Sequence, residues 1–257
     1  MNRSAGSSLE VLFTPAEFAA LHARNLSGTT CVVFDVFRAT TSMVTALANG
    51  AEAVVPVAEI AEAVSLKCER PELLLAGERD GVRIRSPLSG GVDFDLGNSP
   101  REFTAEKVGG RTIAMTTTNG TRALKACVGA REILVGSFLS LGAVAERIRR
   151  DQPEHLLIVC SGTYEQAAYE DTLGAGALCD AVWDLYANAT IADSAQIART
   201  IYAAAKHDLL AAVGIHSRNG RRLLRISELR DDAVFCLQRD TVQFVAVLEK
   251  DGAVRHA

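Results

Sequence analysis

The chain has 257 residues, of which 48% are hydrophobic, and this is enough for one large α/β domain with a substantial core. Its formal net charge of −4 at pH 7 argues against a nucleic-acid-binding protein or a partner of anionic membranes, because both need clustered excess Lys and Arg. The six cysteines form no CxxC pair, which predicts buried, reduced thiols. The first residues lack the apolar stretch of a secretory signal, and no run reaches the about 18 apolar residues of a membrane span. The sequence therefore predicts a soluble cytoplasmic protein.

Apolar runs alternate with helical patterns along the chain. The predicted strands, in order, are CVVFDV (31–36), AVVPVA (53–58), ELLLAG (72–77), TIAMT (112–116), EILVGS (132–137) and HLLIVCSG (155–162). The predicted helices are TSMVTALANG (41–50), AEIAEAVSLKC (58–68), TRALKACVG (121–129), LGAVAERIRR (141–150) and EDTLGAGALCDAVWDLYA (170–187). This alternation is typical of a mostly parallel sheet covered by helices on both faces, which is a three-layer α/β/α fold.

We predict a single domain over residues 1–257 that contains a weak internal repeat, with halves near 30–108 and 109–257. Alignment of Gly50 with Gly129 superimposes two segments that each read polar loop, helix, Gly-Ala turn, strand and helix. The pattern indicates either a duplication or two βα units built by the same local rules.

Less regular patterns fill the rest of the chain. The segment 81–99 is dense in Gly, Ser and Pro, which predicts a long loop. The segment 214–252 predicts a turn, an element that begins near Arg230 and a final strand, and its basic run RNGRR (218–222) reads as a solvated face.

Five polar segments follow predicted strands or lie in the long loop. They are DVFRATTS (35–42), GERDG (77–81), DFDLGNSP (93–100), TTTNGT (116–121) and YEDTLGAG (169–176). Ligands bind at the carboxyl ends of the strands in open parallel sheets, so we expect these segments to meet there. The sequence contains no GxxxxGK[ST] phosphate loop, GxSxG elbow or HExxH zinc motif.

The residue types in these segments suit a metal and an anion. Asp35, Glu78, Asp95 and Asp171 offer carboxylate oxygens for Mg²⁺, which proteins hold with one or two carboxylates plus waters and substrate phosphates. Hydroxyl and N–H groups at helix starts favour a phosphate, and Arg38 can clamp a phosphate or a carboxylate. Together these features are typical of phosphoryl transfer to water. Each threonine is also consistent with an ordinary helix N-cap.

Several long motifs in one order resemble a known family. On DVFRATTSMVTALANGA, GERDG, FDLGNSP, TTTNGTRAL, VGSFL and YEDTLGAG, the chain resembles the 2-phosphosulfolactate phosphatases, which are magnesium-dependent enzymes of coenzyme M biosynthesis. The resemblance implies hydrolysis of (2R)-2-phospho-3-sulfolactate, or of a related phosphorylated 2-hydroxy acid, to the hydroxy acid and phosphate with Mg²⁺. A homodimer is the expected assembly.

The matching motifs supply the candidate site residues. We predict catalytic roles for Asp35, Arg38, Glu78 and Asp171, and candidate Mg²⁺ ligands at Asp35, Glu78, Asp95, Glu170 and Asp171. We predict substrate binding by Thr40, Thr41, Asn98, Ser99, Thr117, Thr118, Asn119, Gly120 and Thr121. Both direct attack by water and an aspartyl-phosphate on Asp35 fit these residues.

Two other functions remain open from the sequence. The DxD spacing of Asp93 and Asp95 is that of haloacid dehalogenase-like phosphatases, although Asp93 does not follow a buried strand. A non-catalytic anion-binding protein would keep the hydroxyl-rich loops, but it would gain nothing from carboxylates beside the bound charge.

Overall fold

An 11-stranded sheet with helices on both faces forms the core of the computed structural model, which describes residues 6–257. The strands are β1 (Ser8–Leu12), β2 (Thr29–Phe34), β3 (Ala53–Pro56), β4 (Leu74–Arg79), β5 (Val82–Arg83), β6 (Thr112–Thr116), β7 (Glu132–Gly136), β8 (His155–Cys160), β9 (Thr190–Ile191), β10 (Ala246–Leu248) and β11 (Val254–His256). The helices are α1 (Pro15–Ala19), α2 (Ala39–Ala48), α3 (Ile60–Glu69), α4 (Ser86–Ser89), α5 (Ala105–Val108), α6 (Gly120–Ala126), α7 (Leu141–Asp151), α8 (Tyr169–Val182), α9 (Asp193–Ala205), α10 (Leu209–His216), α11 (Arg218–Arg225) and α12 (Ser227–Cys236).

The sheet consists of two parallel sections joined by a hairpin. Its order is β5-β4-β6-β3-β11-β10-β7-β2-β8-β1-β9. We name β4, β6 and β3 the β4 section, and β7, β2, β8, β1 and β9 the β2 section; the strands within each section are parallel. The pairings β7–β10, β10–β11 and β11–β3 are antiparallel, so the two sections run in opposite chain directions. The α/β/α prediction with a mostly parallel sheet is confirmed, and the central hairpin is an addition to it.

The twist of the sheet turns the carboxyl ends of the two sections toward each other, although the sections run in opposite chain directions. Six steps across the sheet separate β4 from β2, and each step turns the strand direction by roughly 20–25°. The strands β4 and β2 would point about 180° apart in a flat sheet. A total twist of about 120–150° offsets most of this angle, so their carboxyl ends point within about 60° of a common direction. Loops from both sections can therefore line one site.

The two copies of the repeat are interleaved in the sheet. The segment from β2 to α3 corresponds to the segment from β6 to α7, and β3 pairs with β6 while β2 pairs with β7. Each copy thus contributes one strand to each section. The boundaries of the duplication stay a prediction.

Alternating side chains of the buried strands feed two apolar layers. In β2, Cys31 and Val33 pack in the cluster that contains α2, whereas Val32 and Phe34 pack in the cluster that contains α8. Helix α8 approaches the sheet closely because a Cβ at Gly174 would lie 2.7 Å from the ring of Phe34. Gly174 therefore allows close packing of the helix that carries Glu170 and Asp171 in its first turn.

The C-terminal segment differs from its prediction. The turn expected before Arg230 is instead the helices α10 and α11, and β1 near the start of the chain was not predicted. The expected final strand is present as β10, with β11 after it. Five of the six cysteines are buried and Cys68 is exposed, and all are free thiols. Among the described residues, no helix has the length and apolar character needed to cross a membrane.

Candidate active site

A cavity of about 90 Å³ lies where loops of the two sheet sections meet helix α11. This volume is several times the about 10–15 Å³ that one ordered water needs. Six residues predicted from the sequence line it: Asp35, Arg38, Glu78, Asn98, Thr118 and Asn119. The lining residues that the sequence prediction missed include Phe37, Asp80, Gly81, Gly162, Thr163, Tyr164, Asn219, Arg222, Leu223 and Leu229.

Asp35 follows β2 and carries the least engaged of the buried carboxylates. Its Oδ1 accepts a hydrogen bond from the Ala39 N–H at 3.1 Å, and Oδ2 lies so close to Gly120 that a Cβ there would approach it to 2.5 Å. Gly120 therefore gives the space that Asp35 needs. The pKa of Asp35 is raised to about 6, mainly by burial; the charges of Glu78 and Glu170 add to this shift, and hydrogen bonds from the Ala39 N–H and the Ser161 hydroxyl oppose it.

Two threonines of the same motif fix the loop and stay out of the cavity. The Thr40 hydroxyl donates to the Asp35 carbonyl at 2.9 Å and accepts from the Asp35 N–H at 3.0 Å. The Thr41 hydroxyl donates to the Val36 carbonyl at 3.1 Å. Both threonines are fully buried, and the Phe37–Arg38 peptide bond is cis. These hydroxyls are satisfied by the backbone, so they position Asp35 and do not face a ligand.

Glu78 is the second carboxylate of the cavity and lies one residue before the end of β4. Its Oε1 accepts from the Thr118 N–H and hydroxyl, both at 2.9 Å, and its Oε2 accepts from the Gly81 N–H at 2.6 Å. Thr118 lines the cavity, but its donors are used by Glu78. Glu78 thereby joins the loops after β4 and β6.

Glu170 and Asp171 start α8 behind the cavity wall and are absent from its lining. Asp171 accepts from the Val36 N–H at 2.8 Å, the Ser161 hydroxyl at 3.0 Å and the Gly162 N–H at 3.1 Å. It links the loop after β2 to the loop after β8. Burial raises the pKa of Asp171 well above its usual range, and the charges of Asp35 and Glu170 add to this.

Glu170 connects α8 to the C-terminal helices. It accepts from the Ser217 hydroxyl at 2.6 Å and from the Asn219 amide at 2.7 Å. Ser217 is the N-cap residue of α11, so Glu170 anchors the start of that helix. Burial raises the pKa of Glu170, and the hydrogen bonds from Ser217 and Asn219 oppose this shift.

Arg38 enters the cavity as half of a buried ion pair. Its Nη1 lies 2.7 Å from Asp232, whose side chain is fully buried, and its Nη2 donates to the Gly81 carbonyl at 3.2 Å. Asp232 also accepts from the Ser99 hydroxyl at 2.7 Å and from Arg101 Nε at 2.9 Å. Ser99 thus supports Asp232 and is absent from the cavity lining.

The remaining predicted residues divide between the wall and its support. Thr117 and Thr121 exchange hydrogen bonds between hydroxyl and backbone at 3.3 to 3.4 Å, away from the cavity lining. Asn119 lines the cavity and donates to the carbonyls of Gly162 and Tyr164 at 3.2 and 3.1 Å.

Asn98 and Asp95, from the same sequence motif, have opposite environments. Asn98 is 6% exposed, lines the cavity, and its Oδ1 has no hydrogen-bond partner within residues 6–257. Asp95 is exposed, accepts from the Leu75 N–H at 2.8 Å and lies outside the cavity lining. The structure therefore does not bring Asp95 to the other candidate metal ligands.

The sequence prediction missed three residues of the site and its support, for two reasons. They are Asp232, Asn219 and Arg222. Asp232 lies in SELRDDAV, whose alternating charges are typical of a solvated helix face, and its partner Arg38 is 194 positions away. Arg222 and Asn219 belong to the run RNGRR, which the sequence prediction placed in solvent. The signal that could have found them is the motif NGRRL (219–223), where the sequence also shows a weaker resemblance to the 2-phosphosulfolactate phosphatases.

The carboxylates suit Mg²⁺ better than an all-protein metal cage. No group of three or more His, Cys, Asp or Glu side chains within residues 6–257 has the arrangement of a metal site. Mg²⁺ does not need one, because one or two carboxylates plus waters and substrate phosphates complete its shell. Asp35 and Glu78 face one cavity, and the buried Asn98 Oδ1 is a further hard oxygen beside them. This donor set fits Mg²⁺ held jointly with a substrate.

Comparison with known proteins decides the family. The family model described as 2-phosphosulpholactate phosphatase matches residues 16–251. The chain belongs to this family. A probable 2-phosphosulfolactate phosphatase of Pseudothermotoga lettingae is 37% identical over 97% of the chain and 99% of its own length. A protein of the same description from Caldanaerobacter subterraneus subsp. tengcongensis is 37% identical over 95% of the chain and 97% of its own length. Another from Synechococcus sp. (strain WH7803) is 39% identical over 87% of the chain and 88% of its own length.

The chain is therefore a phosphatase, and the haloacid dehalogenase alternative lacks support in its structure. Asp93 is exposed, accepts from the Ser86 N–H at 2.6 Å and lies 3.6 Å from Arg85. Neither Asp93 nor Asp95 follows a strand or lines the phosphatase cavity.

Proposed function

We propose that the phosphatase hydrolyses (2R)-2-phospho-3-sulfolactate, or a closely related phosphorylated 2-hydroxy acid, to the hydroxy acid and phosphate, with Mg²⁺ as cofactor. The observation that carries the proposal is the shared cavity of Asp35, Glu78 and Arg38. Carboxylates that would hold a metal and a guanidinium that would bind an anion thus face the same small volume. The names of the relatives support the substrate.

The residues of the cavity have separate tasks in this reaction. Asp35 and Glu78 would hold Mg²⁺, which when bound neutralises phosphoryl oxygens and favours ionisation of an attacking water. Arg38 uses one N–H for Asp232 and one for the Gly81 carbonyl, and its remaining N–H groups can donate to the phosphoryl group. Because Arg38 is buried and fixed by two partners, it requires little reorganisation as charge develops.

The chemistry is a displacement at phosphorus. The oxygen of water attacks, the bond between phosphorus and the C2 oxygen breaks, and the proton released from water passes to that oxygen. The Asn98 Oδ1, buried and without a partner in the described chain, can accept a hydrogen bond from the attacking water. The products are 3-sulfolactate and phosphate.

The test is an assay of phosphate release from (2R)-2-phospho-3-sulfolactate and a panel of phosphorylated 2-hydroxy acids, with Mg²⁺ and with EDTA. We expect turnover only with Mg²⁺ and the highest kcat/KM for the sulfonated compound. Tight binding of the panel without release of phosphate would instead favour the non-catalytic anion-binding function. Undiminished release in EDTA would contradict the Mg²⁺ proposal alone.

A further inference from the structure

Two arginines of the cavity hold the same turn of the chain. Arg38 Nη2 donates to the Gly81 carbonyl at 3.2 Å, and Arg222 Nη2 donates to the Asp80 carbonyl. A Cβ on Gly81 would lie 3.2 Å from Arg222 Nη2, so the second guanidinium covers this turn directly. Carbonyls of consecutive residues thus accept from the two guanidinium groups, and both groups line the same cavity. Two positive groups in one cavity favour a bound anion.

The two arginines differ in depth and in neutralisation. Arg38 is 5% exposed and pairs with the buried Asp232. Arg222 is exposed at the cavity, and within the described part of the chain it forms no ion pair with a carboxylate. The outer guanidinium therefore keeps its full charge for a ligand.

Helix α11 is fastened in a way that fixes Arg222. Asn219 lies three residues before Arg222, on the same face of the helix, and it also lines the cavity. Its amide and the Ser217 hydroxyl donate to the buried Glu170. A Cβ on Gly220 would lie 2.5 Å from the Val213 carbonyl oxygen, so α10 and α11 pack with no room to shift. The position of Arg222 thus follows from contacts at the floor of the site.

We propose that Arg222 is the specificity-determining residue of the phosphatase, and that it binds the acidic group on C3 of the substrate at the mouth of the cavity. This inference rests on the proposed function. The inner position beside Asp35, Glu78 and Arg38 takes the phosphate, since the carboxylates that would hold Mg²⁺ are there. The C3 sulfonate then points outward, and the unpaired guanidinium of Arg222 meets it. A guanidinium binds such an oxyanion with two parallel N–H bonds.

A pair of substrates isolates this contact. 2-Phospho-3-sulfolactate and 2-phospholactate differ only in the sulfonate, which a hydrogen atom replaces in the second compound. The ratio of their kcat/KM values measures recognition of the C3 group. We expect Arg222→Ala to lower this ratio by about 10- to 100-fold, mainly through KM for the sulfonated compound. Arg222→Lys keeps the charge but loses the two parallel N–H donors of the guanidinium. Its ratio should lie between those of the wild type and Arg222→Ala.

Arg225→Ala is the matched control, because Arg225 is an exposed arginine of the same helix outside the cavity lining. It should keep the wild-type ratio. An unchanged ratio in Arg222→Ala, with both substrates affected equally, would overturn the proposal.

Product binding separates this inference from the proposed function. Titration calorimetry with 3-sulfolactate and with lactate needs no turnover, and Arg222→Ala should weaken the first far more than the second. If the wild type hydrolysed neither phosphorylated compound, the proposed function would fail while this titration still tested Arg222. Equal weakening of both products would count against a sulfonate contact.

Discussion

Two pairs of buried acidic residues differ in what they offer to a ligand. Asp35 and Glu78 line the cavity, whereas Glu170 and Asp171 lie in the layer behind it. Asp171 accepts three hydrogen bonds and joins two strand-end loops, while Asp35 accepts from the Ala39 N–H in its own loop. Glu78 also accepts three hydrogen bonds, so it is the place in the cavity lining, and not the number of hydrogen bonds, that separates the carboxylates able to meet a ligand from those that brace the wall. Residue type alone does not distinguish these two roles.

Asp35→Asn should have the largest effect on activity. The amide keeps the shape of the side chain and its bond from Ala39, but it removes the charge that would hold Mg²⁺. We expect kcat/KM to fall at least about 100-fold, with a normal circular dichroism spectrum. Near wild-type turnover would refute the assigned role. Asp95→Asn is the matched control, because Asp95 is an exposed acid of another predicted motif and should tolerate the same change.

Asp232→Ala should have the largest effect on stability. It leaves the buried Arg38 charge without its partner, and the breaking of such a pair costs about 3–5 kcal/mol. The free energy of unfolding from urea denaturation measures this loss. The neighbouring Asp231 is exposed and forms a surface ion pair with Nη1 of Arg101, so Asp231→Ala should cost below about 1 kcal/mol. Equal losses of unfolding free energy in the two variants would contradict the proposal that Asp232 neutralises the buried Arg38.

Asp171→Asn should weaken the wall without removing the metal site. An amide has one acceptor oxygen, so at least one of the donors from Val36, Ser161 and Gly162 loses its partner. We expect a loss of about 1–3 kcal/mol in unfolding free energy and a smaller fall in kcat than for Asp35→Asn. A fall in kcat as large as that of Asp35→Asn, in a protein of normal stability, would place Asp171 in the chemistry.

Added Mg²⁺ should stabilise the folded protein against heat, by an amount similar to the loss in Asp171→Asn. Binding to the folded state alone adds about 2.7 kcal/mol at 100 times Kd. Differential scanning calorimetry of the metal-free protein with added MgCl₂ should show a higher Tm for wild type and Asp171→Asn, and no change for Asp35→Asn. A shift retained in Asp35→Asn would move the metal away from Asp35, and K⁺ at matched ionic strength controls for salt.

The sequence predicted the regular part of the fold because its signals are local. Continuous apolar runs such as TIAMT mark buried strands, and this one matches β6 residue for residue. The helices α10 and α11 were missed because Gly214, Asn219 and Gly220 read as turn residues. In the structure Gly220 serves close helix packing, which depends on tertiary contacts that no local pattern contains.

The candidate site was predictable as a set of motifs, but the roles within it were not. Asp35, Glu78 and Arg38 reach the cavity as expected from their places after strands. Thr40 and Thr41 donate to carbonyls of the preceding loop, and neither is the N-cap residue of α2, which is Arg38. Whether a hydroxyl or carboxylate is free depends on distant donors, such as Ser161 for Asp171. The homodimer and the cytoplasmic location stay predictions.

The hairpin at the centre of the sheet has a consequence for biosynthesis. Strands β10 and β11 follow the other strands along the chain, yet they join β7 to β3. Asp35 belongs to the sheet section on one side of this hairpin, and Glu78 belongs to the section on the other side. During translation both flanking sections leave the ribosome before the strands that connect them. The nascent enzyme should therefore remain inactive until residues 246–256 have emerged and inserted into the sheet. Activity then requires that these two strands have been made.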